Sequence, residues 1–305
     1  MAESKPGRIN LETALHKRGF SELGITAGLV VVSGAKEVLP FHGKTPRELE
    51  IVYKIKDGMT PRTVADLRAG TAGKAVVQER ISGTEVNEEE TGITEGGGLY
   101  RAVYDPLDGT ASYARGQRYS TVGMELRRKD DPRPIAAAVA HPFERELLVA
   151  EAGKGTYLFP LDDTMVVIGE GIRQEVSGNN TLRGGIVYVD ALFNDKTSGP
   201  KFELMNKLVD MADSNLGFRM TGSNIDQQRQ VATGRAELTI TDAVGGFFDF
   251  SGRLPIMEAG GKFIDGQTLG EVTEDTQVAI GGVAEIVNKI GTHVQEIYSG
   301  YTGFR

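Results

Sequence analysis

In the first third of the chain, apolar residues recur at helical spacing. From Leu11 to about Val32 the pattern predicts helix, interrupted at Gly19, Gly24 and Gly28. Thr45-Pro46 reads as a further helix start, a capping side chain followed by Pro at the first helical position. Thr63 to Arg80 reads as another helix. The pattern then changes period. Arg101 to Tyr104, Ser120 to Leu126, Ile135 to Ala140, Glu146 to Ala150 and Thr164 to Ile168 are short, β-rich runs separated by Gly, Pro and Asp. In the second half, strand candidates (Gly185 to Asp190, Ala236 to Ile240, Val278 to Ile280) alternate with helix candidates (Lys201 to Ala212, Ser223 to Ala232, Ala284 to Tyr298). This order predicts an α/β protein of alternating helix and sheet layers. No repeat or linker divides it. We expect one domain over residues 1–305: a loose polar tail over 1–10, an N-terminal sub-region to about 168, and a C-terminal α/β sub-region from about 169.

Composition narrows the classes of function. With 39% hydrophobic and 25% charged residues among 305, the chain has the balance of an ordinary globular protein. Its net charge of -8 argues against non-specific nucleic-acid binding, which needs a basic face. It does not argue against an anionic substrate, since bound cations can invert the sign of an acidic site. There is no Cys, which removes disulfides, zinc–thiolate sites, iron–sulfur clusters and cysteine nucleophiles together. The N-terminus lacks the apolar core of a signal peptide, and no apolar run reaches the roughly 18 residues of a membrane span. The expectation is a cytoplasmic protein with no membrane association.

The densest chemistry lies in Val103-Tyr104-Asp105-Pro106-Leu107-Asp108-Gly109-Thr110. An apolar strand ends in Asp105, and Pro106, with no N–H to donate, stops the ladder. Asp108 follows three residues on, and Gly109 permits a tight turn. Two carboxylates thus emerge where a strand terminates, and Gly109 and Thr110 open a segment whose free N–H groups suit a phosphate. Such a pair suits hard divalent cations sharing a phosphoryl group. On these residues alone, an Asp-Pro turn with a solvated second Asp remains the alternative. Other apparent motifs carry less. Gly43-Lys44-Thr45 lacks the earlier Gly of a nucleotide-binding loop, Val38 standing there, and the four His are scattered without metal-ligand spacing.

These residues, with three further segments, resemble the inositol monophosphatase family. That family belongs to the superfamily that also holds fructose-1,6-bisphosphatases and 3'-phosphonucleotide phosphatases. The central Asp-Pro-(Ile/Leu)-Asp-Gly-Thr signature is matched by Asp105 to Thr110, the upstream Thr-x-x-Asp by Thr63 to Asp66, and the C-terminal signature by Asp249 with Glu258 to Gly261. His141-Pro142 and Gly153-Lys154-Gly155 fall in the family's strand–hairpin stretch, and the likeness runs from about Ile51 to Ile280. Where the family has Gly-Glu-Glu, this chain has Gly83-Thr84-Glu85, and a Phe, Phe248, precedes Asp249 in place of the usual Trp.

The resemblance implies a sugar-phosphatase fold. It also implies two or three magnesium ions (manganese as a substitute) held by Glu85, Asp105, Asp108, Asp249 and the Leu107 carbonyl. Glu88, Glu89 or Glu90 would substitute for Glu85 if the loop were threaded differently; their plain reading is a solvated acidic loop. Asp66, Thr110 and Glu85 would be catalytic, with Thr110 and Asp66 holding the attacking water. Asp108, Gly109, Thr110, Asn224 and Asp242 would face phosphate and substrate. Asp242 has a surface-turn alternative, and Asn224 an alternative as a hydrogen-bonding residue at a helix N-terminus. The implied activity is hydrolysis of inositol monophosphate or a related sugar or polyol phosphate by a homodimer. The rivals are a fructose-1,6-bisphosphatase, a 3'(2'),5'-bisphosphate nucleotidase and, more remotely, an inactive binding homologue.

Overall fold

The computed structural model describes residues 7–54, 60–190, 198–213, 215–242 and 246–299, so the first six residues of the expected tail lie outside it. Helix and sheet alternate in layers, as expected. The first layer holds the helices Glu22–Val38 and Val64–Arg80, packed on one face of an eight-stranded sheet. The other face of that sheet carries the helices Asn224–Ala232 and Arg253–Glu258, which also contact a five-stranded sheet. The helices Ser198–Ala212 and Ala284–Tyr298 close the far side. Apolar side chains fill the spaces between these layers, one cluster beneath the outer helices, one around the middle helices that reaches both sheets, and one between the five-stranded sheet and the far helices.

The first layer shows how local sequence sets these elements. Leu11–Lys17 ends at Gly19, whose φ of +80° is the left-handed stop of a helix C-terminus. There Gly19 N–H donates to the His16 carbonyl and Phe20 N–H to the Leu15 carbonyl. Ser21 then caps Glu22–Val38 by accepting from Leu23 N–H at 3.2 Å. The expected single interrupted helix is therefore two, and Gly24 and Gly28 sit inside the second. Residues Glu22–Phe41 are long and apolar enough to cross a membrane by length and composition, which corrects the expectation of no such segment. Ser33, Lys36 and Glu37 interrupt the apolar run, yet its mean hydropathy stays high. In the fold this helix is largely buried and packs against Thr121–Arg128, Pro134–His141 and Glu146–Glu151.

Two other expectations change. Thr45 and Glu48 make the reciprocal bonds of a capping box, Thr45 N–H to Glu48 Oε2 at 2.9 Å and Glu48 N–H to Thr45 Oγ1 at 3.4 Å. No helix follows, because Glu50 adopts φ +51° and turns the chain away. Thr164 to Ile168 yields no strand, only bridges from Val167 to Ile9 and Leu161, and these tie Ile9 of the expected tail to the body.

The strand Tyr100–Asp108 leads to the site. Its pleat sends Ala102 and Tyr104 toward the outer helices and Val103 toward the middle layer. It pairs antiparallel with Thr121–Arg128, and the register shifts between Asp105 and Asp108, around Pro106. On its other side it runs parallel to Glu85–Glu88, a strand the sequence pattern did not reveal.

Candidate active site

Asp105 and Asp108 stand where Tyr100–Asp108 ends, and both are buried. Asp105 accepts from Leu107 N–H at 2.9 Å, which fixes its carboxylate against its own turn. Gly109, at φ +83°, starts the single helical turn Thr110–Tyr113, and a Cβ there would stand 3.0 Å from that of Ser223. That proximity lets the next helix reach in. Ser223 Oγ donates to Asp108 Oδ2 at 2.6 Å and Ile225 N–H donates to the same oxygen at 2.7 Å. Ser223, not Asn224, caps Asn224–Ala232. Asn224 Nδ2 instead donates to Asp190 Oδ2 at 3.4 Å.

Thr63 and Asp66 form a capping box at the start of Val64–Arg80. Asp66 Oδ2 accepts from Thr63 N–H at 2.7 Å, and its Oδ1 lies 2.9 Å from Thr110 Oγ1. Thr110 Oγ1 is also 2.8 Å from the Leu107 carbonyl, so one hydroxyl hydrogen faces two acceptors. Burial pushes Asp66 up to about 7, with the nearby Glu90 charge adding to it against the bonds from Thr63 and Thr110.

Glu85, an expected metal ligand, faces two basic side chains. Its carboxylate pairs with Arg101 and, at 3.3 Å, with Lys129. Register gives the reason: Glu85 lies beside Arg101 in the parallel pairing, and four residues further along Glu89 N–H donates to the Tyr104 carbonyl at 3.2 Å. Glu89 therefore arrives beside Asp105. Electrostatics agree with that placement. Burial raises Asp105 well above the usual carboxylate range, and the charges of Glu89, Asp108 and Asp249 raise it further. Burial also brings Asp108 up to about 7, opposed by the bonds from Ser223 and Ile225 and reinforced by Glu89 and Asp226. Lys54 Nζ lies 2.6 Å from Glu89 and 2.7 Å from Glu90. The segment read as a solvated acidic loop is in fact built into the interior, with Glu88 fully buried and Glu90 nearly so. Sequence reasoning gave Glu89 only as an alternative to Glu85 and missed Lys54, Ser223 and Asp190. The available signal for Glu89 was the adjacent Glu89-Glu90 pair itself, a few residues after Glu85.

Asp249 lies in the helical turn Gly246–Phe250, fixed by Gln228 Nε2 donating to its carbonyl at 2.6 Å. Asp242 ends the strand Leu238–Asp242, almost fully buried and 2.8 Å from Lys201 Nζ, so it is no surface turn. Among the described residues no three acidic or imidazole groups are gathered into a closed metal-binding set. The donor chemistry fits a hard divalent cation all the same. Glu89, Asp105, Asp108 and Asp249 offer oxygen only, and the raised Asp105 and Asp108 mark a surplus of negative charge that a cation relieves.

The chain is similar to known proteins in sequence and in fold. The sequence model of the inositol monophosphatase family matches residues 22–298. Nus factor SuhB of Pseudomonas aeruginosa is 26% identical over 229 residues, 74% of this chain and 80% of that protein. A fructose-1,6-bisphosphatase/inositol-1-monophosphatase of Aquifex aeolicus is 32% identical over 116 residues, 38% of this chain and 39% of that protein. Among solved structures, an IMPase of Thermotoga maritima superposes with a TM-score of 0.72 at 18% identity, covering 89% of this chain and 96% of that one. That likeness speaks for the fold.

Proposed function

The chain belongs to the inositol monophosphatase family, and from that premise we propose that it is a magnesium-dependent phosphatase hydrolysing a small phosphate monoester of a sugar or polyol. The observation that carries the reading is that Glu89, Asp108 and Asp249 lie near enough to Asp105 for their charges to raise it, at the turn whose Leu107 carbonyl is bonded by the Asp66-held Thr110 hydroxyl. Those four carboxylates and the Leu107 carbonyl would hold the cations. When bound, divalent cations supply Lewis acidity, an acidified water and neutralisation of the leaving oxygen. Thr110 Oγ1, held by Asp66, orients the attacking water, and Asp66, raised to about 7, is suited to receive its proton through that hydroxyl. Ser223 and the Ile225 amide keep Asp108 aimed at the site. Catalysis of this kind rests on positioning and charge neutralisation and needs no covalent enzyme intermediate.

Phosphate release from a panel of esters, with magnesium and with chelator, tests the reading. Magnesium-dependent turnover abolished by Asp105→Asn is the expected result; equal inactivity on every ester would overturn it. A second reading, a binding protein without turnover, takes support from the Nus factor name of the Pseudomonas relative. Its sequence argument, the loss of a paired Glu, is weakened by the placement of Glu89 and Glu90. The same panel separates the two. We carry a cytoplasmic setting and a homodimer as part of the proposal.

A further inference from the structure

The helix Asn224–Ala232 is polar and yet buried. Six of its nine residues carry polar side chains, and every residue but Gln230 is shielded from solvent. Polar groups so placed need partners, and because their bonds are directional they fix where the helix stands. Toward its C-terminal end Arg229 donates to Asp226 Oδ1 at 2.7 and 2.9 Å, to Glu144 at 2.7 Å and to Glu146. Those bonds tie the helix to the turn between Pro134–His141 and Glu146–Glu151. At the N-terminal end Ser223 and the Ile225 amide hold Asp108. Between these anchors the fully buried Gln228 reaches the segment that carries Asp249. Its Nε2 donates to the Asp249 carbonyl at 2.6 Å and to Thr241 Oγ1 at 3.4 Å, and its Oε1 accepts from Gly252 N–H at 2.9 Å. A reversed amide would set oxygen against the Asp249 carbonyl and nitrogen against a donor, so its orientation is fixed. A Cβ on Gly252 would collide with Gln228 Cβ, so the turn sits directly on the helix. Gly123, the ladder partner of Asp105, leaves as little room on the other side: a Cβ there would stand 2.5 Å from Ile225 Cδ1.

One short helix thus meets the strand pair of Asp105 through Gly123, Asp108 through Ser223 and Ile225, and the turn of Asp249 through Gln228. The chain between Asp108 and Asp249 runs through both sheets, so covalent connection sets no distance between the two carboxylates. The helix does: Ile225 and Gln228 are three residues apart, a rise of about 4.5 Å. Two cations sharing a phosphoryl group stand about 3.5–4 Å apart, which leaves little tolerance in the spacing of their ligands. Groups that orient metal ligands from behind therefore tune metal affinity without touching the metal. From these contacts, and resting on the phosphatase reading above, we infer that Gln228 is a positioning residue for the cation site. Through the helix Asn224–Ala232 it holds Asp249 at a set distance from Asp108, and its contribution is to cation affinity and turnover, with substrate affinity little involved.

The test compares wild type with Gln228→Met, Gly252→Ala and Val231→Ala. Gln228→Met keeps the length of the side chain and removes its bonds. Gly252→Ala keeps the amide and forces helix and turn apart. Val231→Ala opens a cavity on the same helix away from both attachments, and so reports what loss of packing alone does. Manganese binding, followed by the electron paramagnetic resonance of the free ion, weakens about tenfold or more in the first two variants and stays within about twofold in Val231→Ala, although all three lower the Tm. At saturating magnesium, kcat of Gln228→Met on phenyl phosphate falls about tenfold while KM stays within about threefold. Manganese affinity equal to wild type in Gln228→Met, or a loss matched by Val231→Ala, overturns the inference. If Gln228→Met does not fold, Gly252→Ala decides by the same comparison. A wild type that binds manganese and hydrolyses no ester marks failure of the phosphatase reading alone, and the binding comparison still decides the inference. A wild type that binds no manganese overturns it.

Discussion

The Glu89 amide donates to the Tyr104 carbonyl at 3.2 Å, and this one bond at the end of a parallel strand pair sets Glu89 beside Asp105. Glu85, at the other end of the same strand, is held by Arg101 and Lys129. Substituting the two therefore separates their roles. Glu89→Gln lowers magnesium-dependent kcat/KM by about 100-fold or more, whereas Glu85→Gln leaves it within about threefold. Equal losses in steady-state assays would return Glu85 to the site.

Cation binding to the folded chain stabilises it by mass action. Magnesium at about 100 times its dissociation constant adds about 2.7 kcal/mol to unfolding. Asp105→Asn removes one of the like charges packed around Glu89, Asp108 and Asp249. In chelator at pH 8 the variant melts higher than wild type, and magnesium then raises its Tm by less. Thermal melts with and without magnesium check both signs.

Thr110 and Asp66 act together at 2.9 Å, but only Asp66 also caps a helix. Thr110→Ala lowers kcat by about 100-fold with little change in KM. Asp66→Asn lowers kcat similarly and also costs about 1 kcal/mol of stability through the weakened cap. Kinetics paired with urea denaturation distinguish the variants, since Thr110→Ser retains most activity.

His141 lies buried, its Nδ1 accepting from Glu144 N–H at 3.0 Å. Burial, then the Arg229 guanidinium, lowers it from 6.5 to about 4. The unfolded chain thus binds a proton between those values that the folded chain does not. Stability from this group is full above about pH 6.5 and is lost as pH falls toward about 4, by at most about 3 kcal/mol. His141→Gln flattens the slope. Urea midpoints measured from pH 7 to 4.5 on both proteins check it, because the other titrating groups cancel in the difference.

Much of this was written locally. The alternation of helix and strand signals gave the layers, because amphipathic period and turn residues act over a few positions. Asp105 to Thr110 declared itself for the same reason: a strand end, a Pro and a Gly fix the turn that carries both carboxylates. The Thr63–Asp66 cap was equally local. Thr45-Pro46 shows the limit, since a correct cap failed to make a helix once Glu50 turned left-handed. What only the tertiary structure decided was partnership across the chain. Register of one short parallel strand put Glu89 beside Asp105 and Glu85 beside Arg101, and burial turned Asp242 into the partner of Lys201. Parallel register, and the meeting of a helix with a distant strand, depend on packing between segments far apart in sequence, so no local pattern encodes them.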